Sequence, residues 1–303
     1  MMMMGLHFMN EVPFHKVIMH ALVKDAEGKK MSKSKGNVVD PLEIIDRYGA
    51  DAFRFTLCSL AGHGRDIRLS DDRIAGYGKF VNKLWNAAKL VLGNAGEAAI
   101  RPVFNTDGAI EGFDAPEPQS LPDRWMRSRL TQLVREVKTH LNEFYYDRVA
   151  DTLYHFIWDE FCDWYLELIK PVLYGDDAEA KASTQANMLH ILSALTRLLH
   201  PVMPFVTEEL WSKIPGSKGS VMLAPFPGRC KPFEDAQAEN SISFLMDVTR
   251  AVRSLRADFG VPQGQKLAPV INCEPELAEV LEEYGPLLLK LMGAESLRAA
   301  GAG

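Results

Sequence analysis

The sequence predicts a mainly α protein in which an up-down helical bundle follows a smaller α/β portion and precedes a small αβ tail. Three observations predict it. Four long stretches repeat their apolar residues at helical spacing, glycines and prolines cluster between them, and strand-like apolar runs occur only near the two ends. The chain has 303 residues, of which 47% are hydrophobic and 24% charged, enough apolar material for a substantial core and, at this length, for more than one domain.

The first ten residues, MMMMGLHFMN, are apolar without the basic start or small-residue cleavage site of a signal peptide. Chain termini are usually solvated, so this start is expected to be interior to something longer. Residues 16–24, KVIMHALVK, suit a short buried strand, and DAEGKK supplies the turn after it. Asp40, Pro41 and Glu43 give an N-cap, a proline at the first helical position and an acid in the first turn. With Gly49 placed to stop it, a helix over 41–48 follows, and a second is predicted over 51–60.

From residue 74 onward the period is helical. Ile74, Tyr77, Val81, Leu84, Ala88 and Val91 share one face. Leu130, Val134, Val137, Leu141 and Phe144 share another. Leu153, Phe156, Ile157, Phe161, Trp164, Tyr165 and Leu168 form a third set, and Met188, Leu189, Leu192, Leu195, Leu198 and Leu199 a fourth. Residues 93–123, rich in Gly, Pro and acids, read as an irregular excursion. Recurrent prolines between 201 and 233 leave room for a short helix at 204–213 and then loop. A helix near 240–258 and a strand in LAPVIN, 267–272, complete the tail.

Composition excludes several classes of function. Net charge is −6, so a polyanion must be met by a local basic patch and not by the field of the whole chain. Cys58, Cys162, Cys230 and Cys273 are far apart and lack the paired spacing of a zinc site or a disulfide framework, so they read as thiols of a reducing compartment. No apolar run approaches the ~18 residues of a membrane span, and the chain is expected to be cytoplasmic.

The local basic patch is GKKMSKSKGN, residues 28–37, with lysines at 29, 30, 33 and 35. A glycine-bounded cationic loop between a strand and a capped helix suits polyphosphate: ammoniums act as point charges, hydroxyls and amides donate, and Gly28 and Gly36 let the backbone approach. The GxxxxGK[ST] spacing of a Walker loop is absent. The competing reading is a solvated basic hairpin.

Order of residues decides between these. Lys30 to Ser34 spell KMSKS, and KGNVVDPLEIIDRYGADAFRF after it resembles the ATP loop and following helices of the class I aminoacyl-tRNA synthetases. Within that class the chain is most similar to the valyl-tRNA synthetases, in GRDIRLS, KFVNKLWNAAKLVL, FCDWYLELIKP, HPVMPFVTEELW and VRSLRADFGVPQGQK. The resemblance covers nearly the whole chain. It implies the C-terminal remnant of a Rossmann-type class I catalytic domain over 1–65 with the lysine loop, an anticodon-binding helical bundle over 66–232, and a helix with a small αβ tail over 233–303.

The same resemblance implies ATP-dependent activation of valine and its transfer to tRNA(Val), with Mg2+ expected alongside ATP and no protein-bound metal. Lys30 and Lys33 are the implied catalytic residues, and Lys30, Met31, Ser32, Lys33 and Ser34 the ATP-binding set. Met31, apolar amid the cluster, is read as an anchor packed on the domain. Asn86, Lys89 and Leu90, on a helix that also carries Arg73, Asn82 and Lys83, are the implied tRNA contacts, against the alternative of an exposed helical surface. A HIGH-type motif is absent from the sequence, so this chain is expected to be part of a longer enzyme, inactive alone. The alternatives are a leucyl, isoleucyl or methionyl relative, or a noncatalytic RNA-binding helical module.

Other eye-catching residues carry weaker expectations. Trp158, Trp164 and Trp211 fall on apolar helical faces and read as core. Arg124, Arg127 and Arg129 are equally suited to tRNA backbone or to a solvated helix end, and for Arg253 and Arg256 the sequence leaves a tRNA-facing role undecided. His155, His190 and His200 show no acid-and-nucleophile arrangement and receive no catalytic role.

Overall fold

In a computed structural model of the chain, the residues described are 1–303 apart from 20–21, 33–36, 63–65, 107–109, 115, 229–231, 263 and 302–303. Helix α1, Met2–Met9, buries none of its side chains: Met1, Met3, Phe8 and Met9 are all more than two-thirds exposed. The expected strand over 16–24 shrinks to β1, Val23–Lys24, which pairs in parallel with β2, Ile67–Arg68. Val17, Met19 and Leu22 are exposed, so most of the apolar run that suggested a buried strand is left uncovered.

Local chemistry explains the next two helices. Asp40 accepts from the Leu42 amide at 2.9 Å and starts α2, Pro41–Tyr48, while Gly49, at φ 86°, ends it and opens α3, Ala50–Leu60. Ile44 of α2, Ala52 of α3, Leu69 and Ile74 form a small core of their own. Ile74 lies on α4, Asp71–Gly93, which then runs into the main body.

The main body is a helical bundle. It contains α4, α5 (Leu121–Asn142), α6 (Tyr146–His155), a π-helical segment Phe156–Tyr165, short α7 (Leu166–Leu168) and α8 (Lys170–Leu173), α9 (Ala178–Leu199) and α10 (Pro204–Lys213). Phe80, Leu84, Met126, Val137, Leu153, Phe161, Leu192 and Leu195 meet in one core with Ile242 and Leu245 of α11, Ala236–Asp258. Each such side chain fully buried contributes about 1.5–3 kcal/mol, so the bundle and α11 fold as a unit. Ser120 caps α5 through the Asp123 amide, and Asp177 caps α9 through two amides at 3.0 Å.

Two elements differ from the sequence expectation. The third apolar set reads as uniform α-helix, yet Phe156–Tyr165 winds as a π-helix, with the Leu166 amide reaching back to the Phe161 carbonyl. The wider turn brings Phe156, Phe161 and Tyr165 together inside the core, and Tyr165 donates to buried Asp123 at 2.7 Å. The excursion over 93–123 holds an antiparallel hairpin, β3 (Pro102–Phe104) with β4 (Ile110–Phe113), fixed by the Ile100 amide on the Pro215 carbonyl and by Phe113 against Trp211. In the tail, β5 (Val270–Cys273) pairs in parallel with β6 (Arg298–Gly301) across α12 (Pro275–Glu283) and α13 (Gly285–Met292). Among the described residues, no helix is long and apolar enough to cross a membrane.

Candidate functional site

The base of the lysine loop is built by two side chains twelve residues apart. Asp25, 7% exposed, accepts the Lys29 amide at 2.6 Å and the Asn37 side-chain amide at 2.8 Å. Asn37 in turn accepts the Ser32 amide at 2.9 Å and donates to the Lys30 carbonyl at 3.3 Å. Strand entry and loop exit are thereby tied together on both sides of Lys30 and Ser32. The bond from Asn37 is the largest of the influences that hold the Asp25 carboxyl below its ordinary pKa. Gly28 turns the chain at φ 80° with the Arg68 guanidinium over it, where a side chain would be both strained and crowded.

Above this base Lys30 is exposed, and Met31 is half-buried against the Ile44, Ala52, Leu69 and Ile74 cluster, the anchoring role expected of it. Ser32 is half-buried. Lys33 and Ser34 lie outside the described residues. Such an arrangement leaves Lys30 exposed above a base in which Asp25, Asn37 and the Lys29 and Ser32 amides bond to one another.

A second region lies along α4. Asn86 and Lys89 are exposed on its surface, whereas Leu90 is half-buried against the main core. Beside them is a feature the sequence did not disclose. The Lys83 ammonium stands 3.8 Å from the centre of the Trp158 ring and 2.6 Å from Asp163. Tyr154 stacks on Trp158 with ring centres 5.5 Å apart and planes 18° apart, and Tyr77 meets Tyr154 edge-on. Trp158 is therefore half-buried in an aromatic row under a cation, not enclosed as expected; Trp164 and Trp211 are in the core. Next to the row, Arg73, Tyr77, Asp151, Tyr154 and His155 line a cavity of about 390 Å³. His155 is held above its ordinary pKa, chiefly by its 2.8 Å contact to Asp159.

The other arginines are occupied within the fold. Arg124 pairs with Asp235 at 2.7 Å and Arg129 grips Glu160 at 2.7 and 2.8 Å. Arg127 is buried and donates to the Pro116 carbonyl and Asn187. Arg253 and Arg256 donate to the Leu291 and Gly293 carbonyls at the end of α13, which ties α11 to the tail. Each of the five also donates within the fold.

The first region is tied to the bundle through Asp51 and Arg54 of α3. Asp51 accepts the Phe205 and Val206 amides, at 3.2 and 2.6 Å, at the start of α10. Arg54 donates to the Val202 and Pro201 carbonyls at 3.0 and 3.1 Å. The helix that follows the lysine loop is thus latched onto the turn of the bundle that carries HPVMPF.

The family model described as tRNA synthetases class I (I, L, M and V) matches residues 1–70, and the anticodon-binding domain of tRNA ligase matches residues 123–271. A valine–tRNA ligase of Syntrophotalea carbinolica is 48% identical over 285 residues, covering 93% of this chain and 31% of the relative. One from Caulobacter vibrioides is 44% identical over 307 residues, covering 100% of this chain and 33% of the relative. The chain spans about a third of the length of these relatives. Among solved structures, the Agrobacterium radiobacter LeuRS–tRNA–LeuAMS ternary complex aligns with a TM-score of 0.54 at 22% identity, over 73% of this chain and 25% of that one. A Mycobacterium tuberculosis methionyl-tRNA synthetase with methionyl-adenylate aligns at 0.50 and 19%, over 71% of this chain and 43% of that one.

Proposed function

We propose, for a chain that belongs to the class I aminoacyl-tRNA synthetases and is similar to their valine–tRNA ligases, that it supplies the phosphate-handling loop and the tRNA-binding bundle of an enzyme that activates valine with ATP and transfers it to tRNA(Val). The observation that carries the reading is the braced base of the loop, where Asp25 and Asn37 close the turn and leave Lys30 facing outward.

In the activation step the valine carboxylate attacks the α-phosphorus of ATP. A new P–O bond forms, the bond to the bridging oxygen breaks, and negative charge collects on departing pyrophosphate. Lys30 and Lys33 neutralise that charge, and Mg2+ accompanies the nucleotide. Ser32 and Ser34 donate to the phosphates or hold the loop closed, and Met31 keeps it seated on the small core. Because the Asp25 and Asn37 bonds already order the turn, less entropy is lost when the lysines engage.

For tRNA, the bundle offers Asn86 and Lys89 on α4 beside the Lys83–Trp158 platform. An aromatic face for an unpaired base and ammoniums for phosphates are what single-stranded anticodon nucleotides require. Valine specificity rests on the likeness to valine–tRNA ligases, and a cytoplasmic setting goes with it. A filter-binding competition tests the reading: the chain should prefer tRNA(Val) over tRNA(Leu), tRNA(Ile) and tRNA(Met), and binding indifferent to the anticodon would replace it with a noncatalytic RNA-binding module. Separately, alanine at both Lys30 and Lys33 in a full-length relative should abolish valine-dependent ATP–pyrophosphate exchange.

A further inference from the structure

Two pairings around β1 align three cations on one face. Lys24 of β1 stands opposite Arg68 of β2 in the parallel pair, and opposite Lys30 in an isolated antiparallel bridge on its other side. Residues opposite one another in neighbouring strands send their side chains to the same face, and the next residue along each strand faces the other way. Burial follows that rule. Asp25, Met31 and Leu69, the residues after Lys24, Lys30 and Arg68, turn inward: Asp25 and Leu69 are buried, and Met31 packs against the small core to which Leu69 belongs. Lys30, Lys24 and Arg68 are left together on the outer face, with neighbouring backbones about 4.8 Å apart.

Two of these three cations are uncommitted. Lys24 pairs with Asp66, whereas the Lys30 ammonium and the Arg68 guanidinium, both on exposed residues, make no ion pair or hydrogen bond among the described residues. Arg68 is nonetheless held in place. A side chain at Gly28 would meet its Nε at 3.2 Å, its Cζ at 3.5 Å and its Nη2 at 3.6 Å, so the guanidinium lies flat across the glycine. Gly28 belongs to the turn 25–29, closed by the Gly28 amide on the Asp25 carbonyl at 3.0 Å and by the Asp25 amide on the Lys29 carbonyl at 3.1 Å. The arginine of β2 thus reaches over the turn that leads to Lys30, with its fork of N–H donors unspent.

Such a face suits a compact polyanion. A guanidinium fork meets two oxygens of one phosphate, and an ammonium beside it adds a point charge. Closely spaced cations favour an ion that concentrates several negative charges, as pyrophosphate does, over a nucleic-acid strand that carries one per phosphate. We propose that Arg68 is a further phosphate-binding residue of the lysine loop, gripping pyrophosphate through its fork while Lys30 meets the same ion. The assignment rests on the activation chemistry above and deepens it, by giving the leaving group a cation on a neighbouring strand. Asp66 works against the same ion, since it occupies Lys24 and adds a negative charge.

The experiment titrates the full chain with inorganic pyrophosphate, orthophosphate and sulfate at about 0.15 M salt. It compares wild type with Arg68→Met, Arg68→Lys, Asp66→Asn and Lys30→Ala, with thermal unfolding recorded to confirm that each folds. Arg68→Met keeps an unbranched stem over Gly28 and removes the charge. The side-chain 15N signals of arginine in the wild type give a readout independent of the variants. Pyrophosphate should bind more tightly than orthophosphate or sulfate and move the Arg68 Nε signal. Arg68→Met should weaken pyrophosphate about tenfold, Arg68→Lys should weaken it less, and Asp66→Asn should tighten it. An Arg68 Nε signal unmoved by pyrophosphate, wild-type affinity in Arg68→Met, or pyrophosphate bound no better than sulfate overturns the proposal. Weakening in Lys30→Ala with none in Arg68→Met removes Arg68 and leaves the Lys30 reading standing. The tRNA(Val) competition, in which Arg68 has no part, tests the rest of that reading separately.

Discussion

Removing the carboxylate of Asp51 should uncouple the first helices from the bundle. Asp51 is 7% exposed and accepts two backbone amides, of Phe205 and Val206, at the open end of α10. A hydrogen bond to a charged acceptor contributes about 1.5–3 kcal/mol, and an orphaned buried amide costs a similar amount. Taking the low end for each of two bonds, Asp51→Ala should cost about 3 kcal/mol. Asp51→Asn keeps one acceptor oxygen and should cost about half of that. The Phe205 side chain is 65% exposed, so Phe205→Ala is a control expected to change stability by under about 0.5 kcal/mol. Urea unfolding followed by tryptophan fluorescence gives the answer: the midpoint should fall for Asp51→Ala with the slope preserved. A loss below about 1 kcal/mol for the alanine variant, or equal losses for Asp51→Ala and Phe205→Ala, would show that the latch is not held by these bonds.

Other outcomes follow from the same geometry. Asn37→Ala strips partners from Asp25 and the Ser32 amide, and in a full-length relative it should lower the exchange rate about 10- to 100-fold while Asn37→Asp lowers it less. Lys89→Ala should weaken tRNA(Val) binding modestly and reduce the slope of log K against log salt by about 1. Trp158→Ala should weaken it by about 1–3 kcal/mol with the salt slope little changed, since a stacked base carries no counterion. For His190 the folded pKa is depressed to about 3 from an ordinary 6.5, so the unfolded chain gains a proton first as pH falls. Stability should therefore decline from pH 6.5 downward by up to about 1.4 kcal/mol per unit. His190→Gln should remove that part of the decline in urea titrations at pH 7, 6 and 5.

How much of this was legible in the sequence depended on how local the physics was. The cap, proline and glycine of α2 act within ten residues, and the structure keeps Asp40, Pro41 and Gly49 in those roles. Amphipathic periods placed α4, α5, α6 and α9 because their apolar residues meet in a shared core, α9 being buried on all sides from Asn187 to Leu199. The hairpin β3–β4 has strands too short to show a period, and it is held by Pro215 and Trp211, a hundred residues away. The run at 16–24 misled for the converse reason, since apolarity predicts burial only where a partner surface exists. In the site, the lysine loop was readable from residue order, whereas its brace needed Asp25 and Asn37 brought together across a turn. Lys83 and Trp158 are further apart still, and sequence alone placed the tryptophan inside because its helical face is otherwise apolar.

The π-helical decade from Phe156 to Tyr165 has an implication for how this architecture tolerates change in length. A π turn holds one residue more than the α turn it replaces, so it stores a surplus residue that could be given back. Excising the half-buried Cys162 should let the segment contract towards ordinary winding, whereas the same excision within α4 or α9 would rotate every later side chain by about 100° out of its seat. In this bundle, single-residue deletions ought to be survivable at one place and ruinous a few turns away.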